Sequence, residues 1–386
     1  MKTNSSKNDI SKGWCTTKLG NIAVIVMGQS PKGSSYNKNG GGKPLINGPT
    51  EFTGLYPIKI QWTTTPTKMC EIGDVLLCVR GSSTGRINIA NDEYCIGRGV
   101  AAIRASGKTS QAYLKQMVGL IVEQILKHTS GSTFPNIDSS SLKKISIVLP
   151  PLTEQNRIAS VLETWDQAIE KLKRKIEIKK QIKKGLMQNL LAGKRRLTGF
   201  KGEWETVEIG ELLDYEQPTK YIVKSTDYDH VHKTPVLTAN KGFILGYTNE
   251  TKDIYKNYPV IIFDDFTADN KFVDFAFKVK SSAIKILSPK NQNVNLKFVF
   301  EKIQLIKFTV GQHKRHYLSE YQYITIDIPS IKEQTAIANI LTTADGEITT
   351  LEKKLFILKN QKKYLLNNLI TGNIRTPVKL LEKVQS

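Results

Sequence analysis

The sequence predicts a mixed α/β protein: two unlike globular domains joined by two long antiparallel coiled-coil helices, with a pseudo-two-fold internal repeat. Three observations lead there. Residues 150–196 recur without a gap at 329–375, with 20 of 47 positions identical, and self-similarity at a fixed offset marks a repeated supersecondary unit. Within each copy the apolar residues keep heptad spacing, the pattern of a coiled-coil helix. The stretch before each copy reads as short strands between Gly-, Ser- and Asn-rich loops, and the two stretches barely resemble each other.

Taken in order, each half opens on a tryptophan: Trp14-Cys-Thr-Thr-Lys-Leu-Gly20 is echoed by Trp204-Glu-Thr-Val-Glu-Ile-Gly210. In the first half, 73–80, 99–104 and 143–149 read as strands and 111–128 as a helix. Loops fall at 29–42, 81–86 and 129–136, where turn formers cluster. The first long helix places Ile158, Leu162, Trp165, Ile169, Leu172 and Ile176 on one seam, then Leu186 and Leu190, with Lys179 and Lys183 at the two positions between. Thr153 marks its start and Gly193 its stop. In the second half 259–263, 283–287 and 324–328 read as strands and 296–307 as a helix. The second long helix repeats the seam with Ile337, Leu341, Ala344, Ile348, Leu351, Leu355, Leu358, Lys362, Leu365 and Leu369, and stops at Gly372. The predicted boundaries are a first domain 1–149, a first helix 150–196, a second domain 197–328, a second helix 329–375 and a tail 376–386. About 40 helical residues make a rod of roughly 60 Å. The matched register favours pairing of the two helices with each other over packing of each on its own domain.

The length of 386 residues suits two or three domains. Lys and Arg number 56 against 35 Asp and Glu, a net charge of +21. That balance favours an anionic partner, of which nucleic acid is the commonest large one. The excess is uneven: +10 over 1–152, +7 over 153–200, zero over 201–328 and +4 over 329–386. Cys15, Cys70, Cys78 and Cys95 form no Cys-x-x-Cys pair, which argues against a zinc site of the usual spacing. Scattered cysteines without a signal peptide suit the reducing cytoplasm. The longest apolar runs, such as 22–27 and 260–263, are far shorter than a bilayer span, so no membrane is expected.

Each long helix opens Pro-x-x-x-Glu-Gln-x-x-Ile-Ala, as Pro150, Glu154, Gln155, Ile158 and Ala159, and again as Pro329, Glu333, Gln334, Ile337 and Ala338. With two unlike domains ahead of these helices, and with the passages 73–81, 260–267 and 271–275, the chain resembles the specificity subunit of type I restriction–modification systems from about Trp14 to Arg375. The resemblance implies that each domain is a target-recognition domain reading one half of an asymmetric, bipartite site in double-stranded DNA. It implies that the coiled coil sets the unread spacer and docks two methyltransferase subunits, with two motor-nuclease restriction subunits able to join. S-adenosylmethionine, ATP and magnesium then belong to the partners, and this chain is a non-catalytic subunit with no cofactor or metal of its own. The alternative is a two-headed protein-binding scaffold without DNA specificity.

Base readout needs forked or amide donors on exposed loops. In the first domain the candidates are Arg80, Ser82, Ser83 and Arg86, then Lys43, Arg98, Ser132, Thr133 and Asn136. In the second they are the run His313, Lys314, Arg315, His316 and Tyr317, then Lys220, Tyr221, Asn240, Lys241 and Lys271. The coiled-coil interface is expected at Ile158, Leu162, Trp165, Ile169, Leu172, Ile337, Leu341, Ile348, Leu351 and Leu355. Several passages imitate catalytic motifs. Residues 102–109 resemble a phosphate loop but begin with Ala102. Residues 260–265 resemble a magnesium-binding strand end and read better as a sheet strand with acidic end residues. Residues 149–152 lack the Asn or Asp and the aromatic of an amino-methyltransferase loop. Gly97-Arg98-Gly99 is too short for a cofactor loop, and His128, His230, His232, His313 and His316 form no His-Glu-x-x-His pair. A nucleotide-dependent enzyme using Lys108 and Asp264 is the reading these imitations would support.

Overall fold

The structure is a computed structural model that describes residues 13–107, 109–128, 136–229, 231–239, 242–309 and 315–377. The chain divides into two compact units. Unit 1 comprises Met1–Leu172 with Lys354–Ser386, and unit 2 is Lys173–Lys353. The final segment of the chain therefore belongs with the first domain.

The strands and helices of unit 1 are β1 (Cys15–Lys18), α1 (Leu19–Ile22), β2 (Ala23–Met27), β3 (Tyr36–Asn37), β4 (Lys43–Ile46), β5 (Phe52–Thr53), β6 (Tyr56–Pro57), β7 (Trp62–Thr63), β8 (Val75–Cys78), β9 (Ile87–Ile89), β10 (Cys95–Ile96), β11 (Val100–Ala105), α2 (Gln111–His128), α3 (Ser139–Lys144), β12 (Ser146–Leu149) and the start of α4 (Leu152–Leu190). The central sheet has the order β2-β11-β8-β9, antiparallel throughout. β8 is buried on both faces, so it reads as an unbroken apolar run. Val75 and Leu77 enter one core with α2 and the α4 residues Ile158, Ala159 and Leu162. Leu76 and Cys78 enter a second core with Ile46, Tyr94 and Ile96. This second core lies against the sheet β10-β4-β7-β3. The opening β1 pairs with β12, which brings β1 beside the start of α4.

Unit 2 repeats the plan with β13 (Glu205–Glu208), α5 (Ile209–Leu212), β14 (Leu213–Glu216), β15 (Thr234–Leu237), β16 (Ile244–Thr248), β17 (Val260–Asp264), β18 (Asn270–Val273), β19 (Lys278–Val279), β20 (Ile284–Pro289), α6 (Leu296–Ile303), α7 (His316–Ser319), β21 (Thr325–Ile328) and the start of α8 (Ile331–Thr371). The sheet β14-β20-β17-β18 corresponds to β2-β11-β8-β9, and β13 pairs with β21 as β1 pairs with β12. Ile261 and Phe263 face the core shared with α6, Ile337, Ala338 and Leu341. Val260 and Ile262 face the opposite core.

The long helices start one or two residues away from the predicted points. α4 begins at Leu152, before Thr153, and the N–H groups of Glu154 and Gln155 donate to the Pro151 carbonyl. Gly193 and Gly372 follow the ends with φ of 66° and 78°, the left-handed stop that a residue without Cβ adopts at little cost. α6 ends at Ile303, earlier than the predicted Lys307. Ile306 and Phe308 pack back on the core, which a continuing helix would carry away. No helix among the described residues is long and apolar enough to cross a membrane.

Each unit holds an antiparallel helix pair. In unit 1, Asp166 of α4 meets Lys362 of α8, and Glu154 meets Arg375, just beyond α8. Residue number falls along one helix as it rises along the other. In unit 2, Lys179 pairs with Glu347, Lys180 with Glu352 and Lys183 with Asp345. The seam residues Ile158, Leu162, Ile169, Leu172, Ile337, Leu341 and Ile348 are buried, while Trp165, Leu351 and Leu355 are half-buried. The helix end from the other repeat completes each core: Leu365, Leu366, Leu369 and Ile370 in unit 1, and Leu186, Met187, Leu190 and Leu191 in unit 2.

Candidate functional site

The repeated residues outside the apolar seam build two matching clasps. In unit 1, Trp14 Nε1 donates to Glu154 Oε2 at 2.9 Å. Arg375 donates through Nε to Oε1 at 2.6 Å and through Nη2 to Oε2 at 2.7 Å. The guanidinium also lies 5.5 Å from the Trp14 ring centroid. In unit 2, Arg196 donates to Glu333 through Nε at 2.7 Å and Nη2 at 2.6 Å, and lies 5.6 Å from the Trp204 ring. Glu154 and Glu333 are repeat partners, as are Arg196 and Arg375. Each helix thus starts on a carboxylate held by the arginine that follows the other helix. The two clasps differ in one bond, because Trp204 Nε1 is buried without a hydrogen-bond partner. Burial by itself would raise the Glu154 carboxyl, but the Arg375 fork and the Trp14 indole outweigh it and hold the group below its usual range.

The Gln of the shared opening closes a second contact. Gln155 Nε2 donates to the Pro150 carbonyl at 2.9 Å, and its Oε1 accepts from the Ser110 N–H at 2.8 Å, just before α2. Gln334 Nε2 donates to the Pro329 carbonyl at 2.9 Å, and its Oε1 accepts from the Asn295 N–H at 2.9 Å, just before α6. One buried amide at each site ties the helix start to the next helix of its domain. The heptad lysines close a third contact. Lys362 Nζ donates to Asp166 at 2.6 Å, and Asp166 also accepts from Gln116 at 2.9 Å. Lys183 meets Asp345 at 2.7 Å and the buried Glu301 at 3.3 Å, and both acids are shared with Lys297. A polar pair on an otherwise apolar seam fixes register, since any slip leaves it unpaired.

The predicted reading residues fall into three groups. Arg80, Ser82, Arg86, Arg98, Asn136, Lys220 and Arg315 are exposed, and Ser83, Tyr221 and Lys271 half-exposed. Some of these already have partners. Arg86 Nη2 donates to the Phe52 carbonyl at 3.0 Å. Lys43, also exposed, lies 2.9 Å from Glu93, which raises its pKa. Tyr221 donates to Glu216, and burial followed by that acid pushes its phenol up to about 12. Ser132, Thr133, Asn240, Lys241, His313 and Lys314 lie outside the described residues. The third group is a correction: His316 and Tyr317 are buried at 0% and 1% exposure, as part of α7 against Phe308 and Phe263. Of the expected cluster only Arg315 among the described residues faces solvent, because it stands in extended conformation just before α7, whose first two side chains are buried.

The catalytic imitations have structural uses. The first four residues of the phosphate-loop imitation, 102–105, lie in β11, a central strand; Lys108 lies outside the described residues. Asp264 Oδ1 accepts from the N–H groups of Phe266 and Thr267, which caps a turn. Asp265 Oδ1 accepts from the Tyr317 N–H, and its other oxygen lies 3.3 Å from buried Lys285. Sequence reading found Glu154, Glu333 and the terminal arginines as repeated residues but not the clasps they form. The signal was present, since Trp, Glu and Arg recur together in both halves.

The family model described as the type I restriction modification DNA specificity domain matches twice, at residues 11–180 and 201–360. The chain belongs to the type I restriction–modification specificity family. Among relatives of this specificity family, the EcoR124I/EcoR124II specificity subunit of Escherichia coli is 43% identical over 45% of this chain and 46% of its own length, so the chain spans about half of that relative. The MjaVIII specificity subunit of Methanocaldococcus jannaschii is 23% identical over 95% of this chain and 94% of its own. The crystal structure of the S subunit from M. genitalium shares the fold at a TM-score of 0.64 and 17% identity, covering 96% of this chain and 98% of that one.

Proposed function

We propose that this chain is the DNA sequence-reading subunit of a type I restriction–modification complex. Units 1 and 2 each read one half of an asymmetric bipartite site, and the paired helices set the unread spacer and dock two methyltransferase subunits. Two restriction subunits can join the same assembly. The observation that carries this reading is the repeat itself: matching Glu–Arg clasps and Asp–Lys pairs hold two recognition domains of unlike sequence. A shared frame with unlike heads is what a split, non-palindromic target demands. Two readers on one frame also make the second contact intramolecular, which raises affinity steeply.

In this reading the chain contributes recognition and no bond-breaking step. S-adenosylmethionine, ATP and magnesium are held by the partners, and the complex works in the cytoplasm where the DNA is. The net charge of +21 supports a duplex partner through phosphate contacts, which set register while fewer residues read bases. The test is to map methylated adenines in a host carrying the partner methyltransferase with and without this chain. A single bipartite motif, modified only when the chain is present, is the expected result. Methylation unchanged by the chain, together with salt-independent binding, would favour the two-headed protein scaffold instead.

A further inference from the structure

The two domains present different side chains at one corresponding place, the ends of their central strands. In unit 1, the β8–β11 register pairs Val100 with Cys78, and Val79 N–H donates to the Gly99 carbonyl at 2.9 Å. Arg80 follows Val79, and Arg98 precedes Gly99 in the turn that Val100 N–H closes on the Gly97 carbonyl at 3.0 Å. On the other side of β11, Gly28 N–H donates to the Val100 carbonyl at 2.9 Å and Arg98 N–H to Ser30 Oγ at 3.2 Å. Arg80 in turn bridges to Asn136, whose neighbour Ile137 donates to the Val79 carbonyl at 2.9 Å. Ser30 with Arg98, and Arg80 with Asn136, thus flank the Val79–Gly99 bond in this strand-end row.

The backbone of this row is pinned. Gly97 N–H donates to the Ile46 carbonyl at 2.8 Å, and Gly97 and Gly99 pack so closely on Asn47 that a Cβ on either would collide with it. Arg98 is thus an exposed side chain on a fixed stem. Among the described residues neither its guanidinium nor that of Arg80 has a hydrogen-bond or ion-pair partner.

Unit 2 repeats the hydrogen bonds and changes the residues. Asp264 pairs with Ile284 in register, Asp265 N–H donates to the Ala283 carbonyl at 2.9 Å, and His316 N–H donates to the Asp265 carbonyl at 2.8 Å. These bonds correspond to those of Val79 and Ile137. Phe266 and Ser282 therefore occupy the places of Arg80 and Arg98, and Arg315 that of Asn136. Phe266, Ser282 and Arg315 are all exposed.

We propose that these rows are the base-reading rims, and that Arg80 and Arg98 make the half-site of unit 1 guanine-containing. The Arg fork matches guanine O6 and N7 in the major groove, and one such contact discriminates by roughly tenfold to a hundredfold. Unit 2, with one fork beside an aromatic ring, reads a half-site of different composition. The inference rests on the DNA-reading function proposed above.

The test uses the full chain assembled with its methyltransferase partner and a library of duplexes with randomised positions, sequenced after selection. The wild type should enrich a bipartite motif with guanine in one half. Arg98→Ala and Arg98→Lys should both lose about tenfold or more of the preference at a guanine in that half and keep the other half. Arg80→Ala should act on the same half. Lysine keeps the charge without the fork, so its overall affinity should fall less than that of the alanine variant. A wild-type motif left intact by all three variants, or fully restored in Arg98→Lys, overturns the guanine assignment while DNA reading stands. Failure of the wild type to enrich any sequence overturns both.

Discussion

Replacing Glu154 by Gln keeps the shape of the clasp and removes its charge. The Glu154 side chain is 3% exposed and accepts three hydrogen bonds of 2.6–2.9 Å. Bonds to charged groups contribute about 1.5–3 kcal/mol each, against about 1 for neutral ones. Gln has one oxygen, so part of the Arg375 fork must face an amide N–H. The Arg375 side chain is 42% exposed, and solvent recovers part of the loss. The expected cost is therefore about 3 kcal/mol rather than the full sum, the range for breaking a buried pair. A double-mutant cycle with Arg375→Gln should return a coupling of about 2 kcal/mol. Hydrogen exchange reads the effect unit by unit: β11 amides should lose protection and β20 amides keep it. A coupling under about 0.5 kcal/mol, as for an exposed pair, or equal loss in both units would refute the reasoning. The pH dependence has a fixed sign. The folded carboxyl sits below its unfolded value, so its stabilisation is complete above the ordinary carboxylate range and disappears as pH falls through the lower folded value. The gap between wild type and Glu154→Gln should be full at pH 7 and narrow as the pH falls below the ordinary carboxylate range.

Gln116→Glu puts an acid beside Asp166 at the place Glu301 holds in unit 2, without the compensating Lys297; denaturation should show a loss of about 1–2 kcal/mol, partly recovered by Ala112→Lys. Matched seven-residue insertions in α4 and α8 that keep the Lys183–Asp345 and Lys362–Asp166 register should lengthen each helix by about 10 Å and the unread spacer by about three base pairs, read from the methylated motif. His316→Phe, which removes two buried ring nitrogens without hydrogen-bond partners, should be neutral or stabilising by up to about 1 kcal/mol and should leave the selected DNA sequence unchanged. Burial raises the thiols of Cys70, to about 12, and Cys78, to about 11, and Cys95 is also buried. Alkylation of the native chain near pH 8 followed by mass spectrometry should therefore modify Cys15 and spare these three.

Much of the frame was legible because its signals are local and periodic. The heptad seam, the 179-residue offset and the glycine stops each depend on residues near one another in sequence, and α2 and the central strands of both domains lie close to where apolar runs placed them. The short elements α1, α5, β1 and β13 were not legible, since four residues carry too little periodicity. The proposed reading surface was only half legible. Composition marks Arg80, Arg98 and Arg315 as donors, but no spacing says that the first two flank one hydrogen bond between Val79 and Gly99, or that His316 and Tyr317 turn inward.

The sequence by itself determined that two matched helices carry two unlike domains, because repetition, heptad spacing and charge are properties of the linear chain. Tertiary structure decided which groups meet: Glu154 with Trp14 and Arg375, Asp166 with Lys362, and Arg80 with Asn136. Those meetings join residues up to 221 positions apart, and they arise only when sheet register and antiparallel helix pairing bring distant segments within the few ångströms over which hydrogen bonds and ion pairs act.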